Sequence, residues 1–174
     1  VRSFLFGPIV RLVPVGLVFL SIQTRVCAPY RPFDVVVQVV LALVVGAGAG
    51  GGPERGALAG FVLGMMYDLA VGSPLGLTAL AYGLAGLVAG YVITITPDPQ
   101  WWLAMMFASA GAVVGEASVP VIKLLTGQDG WLTSHLVTVL PVQAVSAAAL
   151  SPLLIPLGRW CMGAKRRKWK AIPE

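Results

Sequence analysis

The chain has 174 residues, 57% hydrophobic and only 11% charged, with a net charge of +5 and a mean hydropathy of +0.87. A soluble domain of this size carries about 25% charged residues, so a water-soluble globule is excluded and lipid is the expected solvent. Five of the twelve Lys and Arg fall within the last ten residues, a run that beside a long apolar segment argues for a cytoplasmic membrane flank over a nucleic-acid surface.

A spanning helix needs about 20 mostly apolar residues, and the sequence predicts six. The first, over 4–24, contains Arg11 and Pro14 and so carries the weakest pattern. No small-residue cleavage site follows its apolar part, so it reads as a retained helix. The second, over 34–50, is largely VVVQVVLALVVGAGAG and ends in GAGAGGGPER, which reads as a flexible glycine-rich linker. The third covers 56–71. The GSPLG turn follows, with Ser73 as expected N-cap and Pro74 in the first turn of a fourth span over 74–95. TPDPQ stops that helix. The fifth span, 101–125, opens on the interfacial anchors Trp101 and Trp102. The sixth, over 132–159, holds Pro141, Pro152 and Pro156, which predict kinks or an early end.

Six spans put both termini on one side. Arg2, Arg11, Arg55, Arg159 and the five terminal basic residues fall there, against Arg25, Arg31 and Lys123 opposite, and the positive-inside rule makes the first side cytoplasmic. The expectation is one polytopic membrane domain over 1–164 and a basic cytoplasmic tail over 165–174. GxxxG spacings recur without any internal repeat.

The most informative stretch is GALAGFVLGMMYDLAVG. Gly56, Gly60, Gly64, Asp68 and Gly72 follow one another every four residues. Such steps drift by about 40° around a helix, so the glycines form a winding groove into which another backbone can press. The natural neighbour is the fourth span, whose Ala79, Gly83, Gly86 and Gly90 offer a matching face. Asp68 lies about 18 Å along the helix from Gly56, where an ionised carboxylate facing lipid costs several kcal/mol. Backbone N–H groups at the start of the next span are one available partner, in which case Asp68 fastens the hairpin. A proton or substrate site and an ion pair across helices are the alternatives.

Glu116 lies near the middle of the fifth span and needs a polar partner, on another helix or on a second protein. Lys123, close to two turns further on, can snorkel. His135 has no second metal ligand nearby, and Cys27 and Cys161 fall near opposite faces, which argues against a disulfide. No catalytic set, metal site, cofactor site or phosphate loop is expected.

The stretch GALAGFVLGMMYDLAVGSPLGLTALAYGLAGLVAGYV closely resembles the rod shape-determining protein MreD family. There a small-residue helix ends in Asp-Leu, followed by a Gly-Ser turn, Leu-Gly and an apolar helix. Here these are Gly60, Gly64, Asp68, Leu69, Gly72, Ser73, Pro74, Leu75 and Gly76. YRPFDVVVQVVLAL, with Pro32 and Asp34, resembles the family's entry into the second span. The resemblance covers about residues 30 to 95. It implies an all-α integral membrane protein of about six transmembrane helices, similar in fold to the substrate-binding components of vitamin transporters, in the bacterial inner membrane. It implies a non-enzymatic scaffold of the elongation machinery that binds MreC and, with it, influences RodA, its transpeptidase PBP2 and MreB, and so peptidoglycan synthesis and cell shape. The alternative is a membrane component that binds a small molecule or lipid-linked substrate in a transporter, which needs a polar cavity faced by Asp68 or Glu116.

Overall fold

The computed structural model describes residues 2–27, 36–96, 99–125, 127 and 136–163, and within them the chain is all-helical. Six α-helices follow in order: α1 (Arg2–Ile22), α2 (Val39–Gly51), α3 (Pro53–Val71), α4 (Leu77–Ile95), α5 (Trp101–Leu125) and α6 (Leu136–Cys161). A π-helical turn, Gln23–Cys27, extends α1. Three segments are long and apolar enough to cross a membrane: α4, α5 and the stretch Val139–Cys161 of α6. By that measure α3 does not qualify: it carries Glu54, Arg55 and Asp68.

The bundle is built around α2. Every residue from Val40 to Gly50 is buried, and α3, α4, α5 and α6 all pack against it, with α1 touching it more lightly. A helix apolar on all sides has no solvent face to offer, and enclosure by other helices satisfies it. At 13 residues it is about 20 Å long, short of a bilayer's hydrocarbon thickness.

GAGAGGG is therefore no linker. The helix continues to Gly51, a single non-helical residue follows at Gly52, with φ 96°, and Pro53 opens α3 at its first position. The physical reason is contact. A Cβ on Gly48 would overlap the Gly86 carbonyl oxygen of α4, while those on Gly46 and Gly50 would lie 2.9 and 2.8 Å from backbone atoms of α6. Glycine runs serve flexible linkers and close-packed helices alike, and here neighbours on two sides select the helix.

The ladder of α3 presses its backbone onto α4. A Cβ at Gly60 would overlap the Tyr82 carbonyl oxygen, one at Gly56 the Gly86 carbonyl oxygen, and one at Gly64 would sit 2.5 Å from the Ala79 Cα. Gly83 was expected on the same face, yet a Cβ there would meet its nearest atom at 3.6 Å, an ordinary contact. Gly111 and Gly115 of α5 abut Ala85 of α4 in the same manner.

α6 runs unbroken through all three of its prolines. Pro152 lacks the N–H that would bond the Ala148 carbonyl, and the Ser151 hydroxyl donates to that carbonyl instead, at 2.8 Å. Leu80, Leu84 and Tyr91 of α4, Met106 and Val121 of α5, and Val145 and Leu153 of α6 point out of the bundle, as expected of faces turned to lipid.

Candidate functional site

The bundle has a turn end, marked by residues 72–76, and a Gly52 end. Asp68 lies at the turn end, on the last turn of α3, with no exposed surface. Its Oδ1 accepts the Ser73 hydroxyl at 2.6 Å, and its Oδ2 accepts the backbone N–H of Gly76 at 2.9 Å, Thr78 at 3.2 Å and Ala79 at 3.4 Å. Those N–H groups are the unpaired donors that begin α4, so the carboxylate of one helix caps the next.

This rearranges the turn. Ser73 does not cap α4 and Pro74 is not in its first turn; the N-cap is Gly76, in the left-handed region at φ 98°. With Asp68 already on the N–H groups, the Ser73 hydroxyl turns back to the carboxylate, and the helix starts three residues later than the sequence suggests. Gly72 ends α3 at φ 76°. A Cβ on Gly72 or Gly76 would meet nothing within 4 Å, so these two glycines serve backbone angle and not packing.

A second constellation lies in the same layer and was not singled out from the sequence, apart from Glu116. Gln38, just before α2, has its backbone N–H bonded to Gln143 Oε1 of α6 at 3.2 Å, and Gln143 Nε2 donates to the Val36 carbonyl at 2.9 Å. One amide side chain thus serves both faces of an extended segment, which is why α2 begins at Val39 and not near 34. Gln23 of the π-helical turn accepts the Val40 N–H through Oε1 at 2.9 Å. The Tyr82 hydroxyl of α4 donates to Gln38 Oε1 at 2.6 Å, and the Tyr67 and Tyr82 rings stand 6.0 Å apart.

Glu116 of α5 is buried in the same part of the core. It is 7% exposed, and its Oε1 has no hydrogen-bond partner among the described residues. Every one of the six helices or their extensions therefore sends a polar side chain into one layer of an otherwise apolar core. The sequence signal was present in Gln38 and Gln143, lone amides inside the apolar runs VVVQVV and LPVQAV.

At the Gly52 end the pattern is different. Arg55 donates to the Met162 carbonyl at 3.0 Å, Arg11 lies over the Trp160 ring at 5.6 Å, and the Arg159 backbone abuts Gly50. Three arginines thus gather around the last turns of α6. Arg11, troublesome in the middle of an expected span, stands level with the end of α6, so the first turns of α1 reach beyond it. Cys161 is a free, buried thiol. No group of three metal-ligating side chains occurs among the described residues. Pro32, Asp34 and His135 lie outside the described residues.

Compared with family models, with curated proteins and with solved structures, the chain matches none.

Proposed function

We propose that the protein is a non-enzymatic scaffold of the bacterial rod (elongation) complex, spanning the inner membrane six times with both termini in the cytoplasm. The observation that carries this reading is the Asp68 clasp. Gly60, Gly64, Asp68, Gly72, Ser73 and Gly76 carry the resemblance to the MreD family, and they act together as one joint between α3 and α4, with the carboxylate's acceptors taken up by that joint. A carboxylate so engaged serves assembly and has little left for chemistry. The gathering of Arg11, Arg55 and Arg159 at the Gly52 end supports a cytoplasmic assignment for that end. The turn end, with the 72–76 loop, then faces the periplasm, where it meets MreC and, through it, RodA, PBP2 and MreB.

Co-purification of the tagged protein with endogenous partners in mild detergent tests the reading. Recovery of MreC is expected. Recovery of an energy-coupling ATPase without MreC would sink the scaffold and favour the transporter component. Asp68→Asn is expected to fold and to retain partners, because the Ser73 hydroxyl can reverse and accept from the new amide.

A further inference from the structure

At the Gly52 end, positive charge outweighs negative. Arg11, Arg55 and Arg159 gather around the end of α6, while the described residues place a single carboxylate there, Glu54 in the first turn of α3. The three arginines are not equivalent. Arg55 donates to the Met162 carbonyl. Arg11 is exposed, and its guanidinium stands over the Trp160 ring, 5.6 Å from the centroid. A ring face attracts the cation but accepts no conventional hydrogen bond from its five N–H groups. No carboxylate among the described residues pairs with Arg11.

Below this contact both helices are apolar and exposed. On α1, Pro14 and Val18 follow Arg11 on one face; on α6, Pro156 and Leu153 precede Trp160 on one face. Steps of three and four residues keep each pair in line with its head group. The two helices run in opposite directions, so both stripes descend from the Arg11–Trp160 contact toward the turn end, for about 10 Å. Val18 is 57% exposed and Leu153 70%. α1 and α6 touch only lightly, and the Arg11–Trp160 contact brings the heads of the two stripes together.

A guanidinium above two apolar stripes matches the two parts of a phospholipid. Arginine pairs with phosphate through two parallel N–H bonds, tryptophan settles at headgroup level, and basic sites between membrane helices take anionic head groups. A zwitterionic headgroup carries its own cation beside the phosphate, which an excess of arginine repels.

We infer that an anionic phospholipid seats at the α1–α6 corner of the Gly52 end, its phosphate on Arg11 beside Trp160 and an acyl chain along Val18 and Leu153. Arg159, next to Trp160 in the chain, adds to the positive field. The lipid ties α1, the most lightly packed helix, to α6. The inference rests on the chain's lying in a membrane and not on the rod-complex reading, so loss of either leaves the other standing.

The test uses the full chain, purified in detergent and stripped of lipid. Dioleoyl phosphatidylglycerol, dioleoyl phosphatidylcholine and inorganic phosphate are titrated at equal phosphate concentration, with bound lipid counted by native mass spectrometry and the thermal midpoint followed. A saturable rise in midpoint with phosphatidylglycerol alone is expected. Arg11→Gln should weaken that binding by about tenfold or more. A chain with Lys165, Arg166, Arg167, Lys168 and Lys170 all replaced by Gln should keep it. Equal responses to the two lipids, or a response to inorganic phosphate as large, would overturn the inference. So would undiminished binding in Arg11→Gln, or binding lost with the five terminal charges, which would assign the attraction to the tail. Where Arg11→Gln does not fold, phosphatidylglycerol with a diazirine in its acyl chain decides the matter on the unsubstituted protein. Label is expected on α1 and α6 around Val18 and Leu153; label spread evenly over the exposed faces of α4 and α5 would overturn the assignment.

Discussion

The two ends of the bundle are held together by different physics. At the Gly52 end, helices meet backbone to backbone. Gly48, Gly56 and Gly86 bring α2, α3 and α4 so close that a methyl group on any of them would strike a neighbouring main chain. At the turn end the helices are joined by side-chain hydrogen bonds from Asp68, Gln23, Gln38, Tyr82 and Gln143. In lipid, burial of apolar surface gives helices little reason to associate. Close packing and polar pairing are the two remaining means, and this chain weights them differently: glycine contacts dominate towards the Gly52 end, where Arg55 adds a hydrogen bond, and polar pairing dominates at the turn end, where Gly64 still packs against Ala79.

That contrast can be broken from either side. The largest effect is expected from Asp68→Leu, which strips the acceptor from four donors, those of Thr78 and Ala79 buried and those of Ser73 and Gly76 half-buried. At about 1 kcal/mol or more for each, folded monomer should be largely lost on size-exclusion chromatography, whereas Asp68→Asn should retain most of it. Gly56→Ala comes next. One methyl meets the Gly86 carbonyl and the Gly48 Cα, neither of which can rotate away, and a loss of roughly 3 kcal/mol is expected, read as a lowered thermal midpoint in detergent.

Gln143→Leu unpairs one N–H and one carbonyl in the extended segment before α2. It should cost about 2 kcal/mol and speed amide exchange at Gln38 while leaving the α3–α4 hairpin unchanged. Gly83→Ala is the smallest and has the opposite sign. With room for a Cβ at that position, the helix gains up to about 1 kcal/mol in propensity, and the midpoint should stay level or rise. A fall as steep as that of Gly56→Ala would show that α3 and α4 approach each other along a different line.

The glycine ladder and Asp68 could be read in the sequence because each is conspicuous by itself: a strict four-residue spacing, and a charge inside an apolar run. The start of α4 was legible only in part: its N–H groups were an available partner for Asp68, as the structure has it, but Ser73 and Pro74 also form a proper cap signature, and the sequence does not show that the carboxylate displaces it and moves the start to Leu77. The glutamine network was harder still. Its members are uncharged, share no spacing, and come together across as many as 105 residues of chain, as Gln38 and Gln143 do. The GAGAGGG segment misled for a further reason. Composition cannot distinguish a backbone left free from one pressed on two sides, and the deciding residues, Gly86, Leu154 and Ile155, lie in helices still to come.

The enclosure of α2 has a consequence for how the chain is made. Val39–Gly51 leaves the ribosome well before α6, whose Leu154, Ile155 and Gly158 close the far side of it. Until then α2 has only α1 and, in turn, α3, α4 and α5 as cover, and it is too short to rest across a bilayer alone. Synthesis therefore passes through an open-sided intermediate that the last helix seals, and a chain arrested before α6 presents the glycine face of α2 to lipid or to the quality-control machinery.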